Sequence, residues 1–378
     1  MALEVVERLL RLACSWPEGR NRLRYWIGVY LLPYSFAFTI VLPAACFAAG
    51  MHASAMDRVD LLTDGVATSL CFVKLRCLQR HASTLLEVRR LLRDHFTPLE
   101  ETVVMEAREA NKRCERRAGR LAIGYVALYS SLSICGSIIM FFSLISGKPE
   151  DRRLTTKAPQ AFLHNDYLFW PVLCGISVEL YIFPIATGTF DALFLTLSLH
   201  LVCKCNILWV LLRRAQATDH ANAPNRIRDC VIYHQLIIRL HKLTEGIFSG
   251  VTLYQMIYIL FGVGTPGIRI LNGSLNGDTS KTLFAISYVW WNICQLLTFC
   301  WFGDKVAKMS LDLSDGAFWT FEPWQQRSGH HLHLMMLRAQ KPLYLTAGRF
   351  TNLTLRLCLD IMKRSYSLYS AMNRIKTA

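Results

Sequence analysis

Apolar residues in this chain are gathered into long runs that are separated by segments rich in charged side chains. A helix that crosses the hydrocarbon core of a bilayer needs about 20 mostly apolar residues, far more than a buried strand contains. Runs of roughly that length cover residues 25–50, 61–78, 121–146, 168–212, 247–271, 283–301 and 343–372. The pattern predicts an all-α membrane protein with seven transmembrane helices in a single domain, 1–378.

Two of these runs have unusual lengths. The second has a clean apolar core only from 65 to 73, with Asp64 and Lys74 at its edges. The nearly uncharged part of the fourth, 168–203, would extend about 54 Å as a helix, whereas the hydrocarbon core is about 30 Å thick. The fourth run therefore predicts either a helix that projects out of the bilayer or a hairpin that turns near 184–188.

The composition agrees with a membrane protein. Hydrophobic residues make up 53% of the chain, charged residues make up 18%, and the mean hydropathy is +0.27. Soluble domains carry about 25% charged residues, so an ordinary soluble protein is excluded, as are a disordered chain and a coiled coil. The first run is longer than the apolar core of a secretory signal peptide, about 7–15 residues, and we expect it to remain as a membrane anchor.

The excess of positive charge predicts the orientation of the chain. There are 42 Lys and Arg against 27 Asp and Glu, a net charge of +15. If the chain crosses the membrane seven times, the segments on one side are 1–24, 74–120, 204–246 and 303–349. These segments hold 30 of the 42 Lys and Arg residues, and the loops on the opposite side hold 9. Cytoplasmic loops collect Lys and Arg, so the amino terminus is predicted inside and the carboxyl terminus outside. Dividing the fourth run into a hairpin would reduce the bias to 21 against 18, which favours seven spans.

The segments on the predicted inner side are substantial. Residues 81–118 and 213–245 alternate apolar and charged positions at a helical period, and Pro98 interrupts the first of them. We expect helices that continue below the membrane and pack together there. On the predicted outer side, Asn272 begins an Asn-Gly-Ser triplet and is a candidate glycosylation site.

The usual signatures of catalysis and cofactor binding are weak in this sequence. Residues 262–267 match G-x-G-x-x-G, but they end an apolar run instead of following a strand, so they predict a loop. His330, His331 and His333 have no acidic or cysteine partner nearby, and the thirteen cysteines include no C-x-x-C pair. The sequence therefore predicts no enzyme, no metal and no cofactor.

The last apolar run is unusually polar. Arg356, Asp360 and Arg364 follow one another at intervals of four, so they lie on one face of a helix and are candidates for ion pairs. Charged side chains in a membrane helix are costly and usually face the interior of the bundle or water. Two interpretations remain open: a structural ion-pair ladder near the membrane boundary, or the lining of an aqueous path.

The carboxyl-terminal region resembles a known family. The stretch 340–350, Gln-Lys-Pro-Leu-Tyr-Leu-Thr-Ala-Gly-Arg-Phe, and 361–367, Ile-Met-Lys-Arg-Ser-Tyr-Ser, resemble the signature of insect odorant receptors, and the specific match covers about residues 303–373. The chain departs from the usual family pattern at Arg356 and Asp360.

The resemblance implies a ligand-gated, non-selective cation channel in the cell membrane, expected in the dendrites of olfactory neurons. Four subunits would surround a pore lined by the seventh span, and about 205–246 and 303–342 would form a cytoplasmic anchor domain. Because 213–246 lacks the insertion of the shared co-receptor, the chain resembles a ligand-specific subunit. The implied partners are a small volatile odorant, the co-receptor in a heterotetramer, membrane lipid and permeating cations, but no nucleic acid.

The resemblance also implies candidate site residues. A pocket for the odorant is expected in the outer half of the bundle, where any of these positions could instead face lipid or another helix. The candidates are Thr68, Phe72, Ile134, Ser137, Phe141, Tyr181, Ile185, Met256, Phe284, Tyr288 and Trp291. Tyr366, Tyr369 and Asn373 are the candidates for the pore and its gate.

Three alternative functions remain at this point. The related gustatory receptors have Thr-Tyr and Gln-Phe in the last span, whereas this chain has Ser365-Tyr366-Ser367 and no Gln-Phe after it. A secondary transporter predicts inverted repeats, which the sequence does not show. A G-protein-coupled receptor would have the opposite orientation, and its landmark motifs at the third and seventh spans are missing.

Overall fold

The computed structural model describes residues 2–12, 55–96, 105–145, 166–216, 223–271, 279–320 and 326–377. Within them the helices are α1 Ala2–Leu12, α2 Ala55–Arg80, α3 Ala82–Arg90, α4 Met105–Ile145, α5 Asp166–Gln216, α6 Ala223–Leu271, α7 Thr279–Thr320, α8 Gln326–Ala339 and α9 Leu355–Thr377. A π-helical turn, Leu91–Phe96, follows α3, and the strands β1 Thr346–Ala347 and β2 Thr351–Asn352 precede α9. The predicted first span, 25–50, and Asn272 lie outside the described residues.

The fourth apolar run forms one continuous helix. Helix α5 contains 51 residues, and at 1.5 Å per residue it is about 77 Å long. The alternative of a hairpin near 184–188 is therefore wrong. Helices α4, α6 and α7 are also longer than a bilayer requires, with 41, 49 and 42 residues. In α4, α6 and α7 the apolar run thus continues into a more polar helical extension without a break.

Helix α5 lies at the centre of the bundle. Its segment Thr187–Arg213 has a mean hydropathy of 1.8 and is long and apolar enough to cross a membrane, yet 78% of its most apolar window is buried inside the chain. Phe194 stacks on Phe299 of α7 with ring centroids 4.3 Å apart, and it meets Phe248 of α6 edge to face at 5.3 Å. The run is apolar on all sides because other helices surround it.

The polar extensions pack against one another as the sequence predicted. Leu85, Leu91 and Phe96 are buried beside the first turns of α6, where Tyr233 and Leu240 are buried as well. The rings of Phe96 and Tyr233 meet edge to face, with centroids 5.0 Å apart. Pro98 and its neighbours lie outside the described residues.

The seventh predicted span begins differently from the expectation. A short antiparallel hairpin pairs Thr346 with Asn352, and α9 begins only at Leu355. The backbone of Gly348 is left-handed, with φ +65°, and a Cβ there would lie 2.6 Å from Leu253 Cδ2 of α6. The amide of Gly348 donates to the carbonyl of Ser249 at 2.8 Å. A glycine is therefore required where the hairpin touches α6.

Candidate ligand site and carboxyl-terminal helix

A buried polar network joins four helices of the bundle. Lys74 of α2 donates through Nζ to Asp191 of α5 at 2.7 and 2.9 Å, and both side chains are almost fully buried. Tyr129 of α4 and Gln295 of α7 each donate to Asp191 Oδ2 at 2.6 Å. A charge buried in a helix bundle is stable only with such compensation, so the network holds the four helices in register.

A glycine makes room for this network. Gly188 lies nearly one turn before Asp191 on α5, and a Cβ at that position would meet the Tyr129 side chain at 3.1–3.2 Å. The ring of Tyr129 therefore lies against the backbone of α5, which lets its hydroxyl reach the Asp191 carboxylate. A larger residue at position 188 would push the ring away from that carboxylate.

An aromatic cluster adjoins the polar network. The ring of Trp291, one turn before Gln295 on α7, meets Tyr129 edge to face with centroids 4.0 Å apart. Tyr125 lies one turn before Tyr129 on α4, and its ring is 5.6 Å from both Trp291 and Tyr129. These three residues, the aromatic cluster, present ring edges and faces next to a network whose polar groups are already paired.

A second set of tyrosines lies further toward the predicted outer side. The hydroxyls of Tyr258 on α6 and Tyr288 on α7 are 2.5 Å apart. Tyr254, one turn below Tyr258, shares a hydrogen bond with Ser69 of α2. Met256 of α6 is also buried. Three of the predicted ligand residues, Met256, Tyr288 and Trp291, are therefore buried or partly buried on α6 and α7.

Other predicted ligand residues are placed elsewhere. Phe72 is half-buried, and its ring lies 5.3 Å from the guanidinium of Arg76. The side chain of Ile134 is 57% exposed, so it points out of the single-chain bundle. The side chains of the remaining candidates lie outside the described part of the structure: Thr68, Ser137, Phe141, Tyr181, Ile185 and Phe284.

The sequence analysis missed most of the polar network. It noted Lys74 only as the edge of a weak span, and it treated the fourth run as nearly uncharged although Asp191 lies within it. Two opposite charges in separate apolar runs are a signal for a pair inside the bundle. That signal could have found Lys74 and Asp191, but nothing local marks Tyr129 or Gln295 as their partners.

Helix α9 buries one face and leaves its charged face open. Cys358, Ile361 and Ser365 are buried, and the hydroxyl of Ser365 donates to the carbonyl of Leu260 on α6 at 3.3 Å. Tyr366 is 70% exposed. The side chains of Tyr369 and Asn373 lie outside the described part of the structure.

The predicted ion-pair ladder on α9 does not form in the single chain. Arg356, Asp360 and Arg364 are all exposed, and among the described side chains no ion pair joins them. An exposed pair at this spacing contributes little, about 0.3–0.5 kcal/mol, so solvent competes successfully for these groups. The three charges instead form a polar face on the side of α9 that is turned away from α6.

Two histidines on the predicted inner part of α6 are held neutral. Burial, together with the nearby Arg338, lowers the pKa of His234 to about 4. Burial also lowers the pKa of His241, although its Nε2 lies 2.9 Å from the carbonyl oxygen of Tyr344. Both side chains therefore act as neutral packing groups between α6 and the segment that contains α8 and the hairpin.

Comparison with known proteins identifies similar chains. The family model described as 7tm Odorant receptor matches residues 59–366. Odorant receptor 10 of Aedes albopictus is 22% identical over 270 residues, 68% of each chain. Odorant receptor Or2 of Anopheles gambiae is 25% identical over 154 residues, only 39% of its own length, and Odorant receptor 85c of Drosophila melanogaster is 27% identical over 145 residues, 36% of its own length.

The fold has solved counterparts. The olfactory receptor OR5 of Machilis hrabei in complex with eugenol matches with a TM-score of 0.84 at 14% identity, covering 99% of this chain and 97% of that one. A second structure of OR5 from Machilis hrabei matches with a TM-score of 0.80. This likeness shows the fold, an all-α architecture of seven transmembrane helices with the amino terminus on the cytoplasmic side. The orientation predicted from the cations is thereby confirmed.

Proposed function

Because this chain belongs to the seven-transmembrane odorant receptor family, we propose that it is the odorant-binding subunit of a ligand-gated, non-selective cation channel. Membership makes it a multi-pass membrane protein of olfactory neurons and a receptor, not an enzyme. The three alternative functions, a gustatory receptor, a secondary transporter and a G-protein-coupled receptor, belong to other families than the one whose model matches this chain. The co-receptor, membrane lipid and permeating cations remain the partners of this proposal.

The observation that supports ligand binding most directly is the aromatic cluster beside the tyrosines of α6 and α7. Pockets for small molecules are mostly apolar and aromatic, with a few polar groups that set the orientation of the ligand. Trp291, Tyr125 and Tyr288 supply aromatic surface between α4, α6 and α7. The paired network beneath them provides a rigid base, because Asp191 already has four short hydrogen bonds.

Coupling to the pore is proposed to run through α6 as well as α7. Tyr258 of α6 meets Tyr288 at the candidate site, and two residues later the carbonyl of Leu260 accepts the hydrogen bond from Ser365 of α9. A ligand that contacts these tyrosines differently in the closed and open states shifts the equilibrium by that difference in affinity. The shift would be transmitted to α9 through the contact of Leu260 with Ser365, two residues along α6 from Tyr258.

The pore itself is proposed to form between four copies of α9. Its exposed polar face carries Arg356, Asp360, Arg364 and Tyr366, which suits a water-filled path better than lipid. Tyr369 and Asn373 would form the gate near the outer end. In a heterotetramer with the co-receptor, the subunits together would complete this lining.

Replacing the aromatic side chains tests the proposal. We expect Trp291→Ala and Tyr288→Ala to lower odorant potency by at least about tenfold, because each removes a large contact surface from the ligand. The measurement is the odorant dose–response of current in cells that express this chain with the co-receptor.

A matched control lies one residue away. Trp290 is 67% exposed, so Trp290→Ala also replaces a tryptophan by alanine, but on the exposed surface of the single-chain bundle and away from the aromatic cluster. Its dose–response should remain that of the unmodified chain. Unchanged potency in both Trp291→Ala and Tyr288→Ala would refute the assignment of this site.

A further inference from the structure

Several polar atoms near the aromatic cluster are buried with no hydrogen-bond partner in the part of the chain that the structure describes. They are both amide atoms of Gln255, the carbonyl oxygen of Asn292 and the hydroxyl of Tyr125. Gln255 and Asn292 are completely buried. Buried side-chain polar groups in folded proteins are nearly always hydrogen-bonded, so a group of such atoms indicates a place where a polar molecule binds.

These atoms lie at one depth in the bundle. Helices α6 and α7 run in opposite directions and meet at the hydroxyls of Tyr258 and Tyr288. Gln255 lies one turn inward from Tyr258, and Asn292 lies one turn inward from Tyr288, whose carbonyl accepts a 2.9 Å bond from Asn292 Nδ2. Because the depths match, both amides border the same layer of the bundle as Trp291.

The orientation of Gln255 follows from its helix face. It lies two turns beyond Phe248, a spacing of seven that returns to the same side of α6. The ring of Phe248 contacts Phe190 and Phe194 of α5 at 5.0 and 5.3 Å, so that side faces the centre of the bundle. Gln255 therefore directs its amide inward and away from lipid.

The polar network below cannot supply the missing partners. Asp191 already accepts bonds from Lys74, Tyr129 and Gln295, and the Tyr129 hydroxyl accepts a further bond from Gln295. These bonds direct the carboxylate, the hydroxyl and the amide nitrogen of the network toward one another. Among the described residues, neither Gln255 nor the carbonyl oxygen of Asn292 has a hydrogen-bond partner, so both are open to a polar group of a bound molecule.

We propose that the odorant of this receptor is a small volatile alcohol whose hydroxyl binds between Gln255 and Asn292. The amide nitrogen of Gln255 donates to the hydroxyl oxygen, and the hydroxyl proton is donated to Asn292 Oδ1 or Gln255 Oε1. The hydrocarbon part lies against Trp291 and Tyr125. A ketone of the same shape satisfies only the donor, and an alkane satisfies neither. The inference rests on the proposed function of the chain as an odorant-gated channel.

The test compares three ligands of similar size and one pair of variants. Currents evoked by octanol, octanone and octane are recorded in cells that express the chain with the co-receptor. Octanol should be the most potent and octane the least. In Gln255→Leu, and separately in Asn292→Leu, octanol should lose about tenfold or more in potency, because a site built for a hydroxyl no longer discriminates. Octane should keep or gain potency.

Controls separate a lost contact from a lost fold. Ile257 is exposed on the opposite face of α6, so Ile257→Ala should leave all three dose–responses unchanged. Surface labelling checks that each variant reaches the membrane, and if one leucine variant does not, the other carries the test. The alcohol proposal is overturned if octane is as potent as octanol on the unmodified chain. It is also overturned if both leucine variants change the potency of all three ligands by the same factor, which is the result expected if water and not the ligand binds the two amides. Absence of current with these ligands also overturns it, whereas absence of current with a broad odorant panel overturns the proposed function itself.

Discussion

Asp191 accepts four hydrogen bonds from three side chains, each of which belongs to a different helix. At the scale of single residues, this carboxylate determines how α2, α4 and α7 sit around α5. The free energy of burying a charge is recovered only when every partner is present. The loss of one partner therefore affects stability more than the loss of the whole pair.

Mutation of the buried pair tests this reasoning. We expect Asp191→Leu alone to destabilise the chain by about 3–5 kcal/mol, since it leaves Lys74 buried without its counter-charge. The double variant Lys74→Met with Asp191→Leu should recover most of that loss. Thermal unfolding of the detergent-purified receptor is measured for Asp191→Leu, Lys74→Met and the double variant. A double variant whose loss equals the sum of the two single losses would contradict the pairing.

At the scale of elements, the hairpin before α9 shows where the apolar pattern misled the prediction. The run 343–372 was expected to be one helix, but Leu343, Leu345 and Ala347 are buried at alternate positions and belong to an extended segment. A period of two is the pattern of a strand, and it is too short here to stand out from the apolar run that follows. The helix begins at Leu355 because the hairpin first docks on α6 through Glu245 and Ser249.

Substitutions in the turn of this hairpin should have opposite effects. Gly348→Ala should destabilise the protein by about 1–2 kcal/mol, because alanine is strained at φ +65° and its methyl group meets Leu253. Arg349 also has a left-handed backbone, with φ 62°, so Arg349→Gly serves as the control and should be neutral or slightly stabilising. Melting temperatures of the two purified variants provide the comparison. Equal melting temperatures would show that the turn does not constrain the docking of the hairpin.

At the scale of the whole molecule, a single buried histidine on the predicted inner part of α6 affects stability. His234 has a pKa of about 4 in the folded protein, and an ordinary histidine titrates near 6.5. Between these values the unfolded chain binds more protons than the folded one, so protonation favours unfolding. Stability is full above about pH 6.5 and declines as the pH falls toward 4.

The contribution of His234 is measured by a pH series of thermal unfolding. The unmodified protein should lose up to about 3 kcal/mol from this residue between pH 6.5 and 4, and His234→Gln should remove that part of the decline. His330 is exposed on α8, so His330→Gln should leave the pH profile as it was. An identical profile for His234→Gln and the unmodified chain would show that the histidine is accessible to protons when folded.

The sequence by itself determined the class of the molecule and its orientation in the membrane. The length of each apolar run and the positions of the 42 cations are visible in the linear sequence, and the bilayer has a nearly constant thickness. Spans and orientation can therefore be predicted without knowing which residues contact one another. The resemblance in the last part of the chain also directed attention to Tyr288 and Trp291, both of which lie at the candidate site.

Only the tertiary structure decided which residues meet. Lys74 and Asp191 are 117 positions apart, and Tyr129 and Gln295 are 166 apart. Their contact depends on how four long helices slide and rotate against one another, and the packing of side chains over the whole bundle sets that register. The same packing exposes Ile134, buries Gln255 and turns the charged face of α9 outward, because the sequence of a helix defines its faces but not its neighbours.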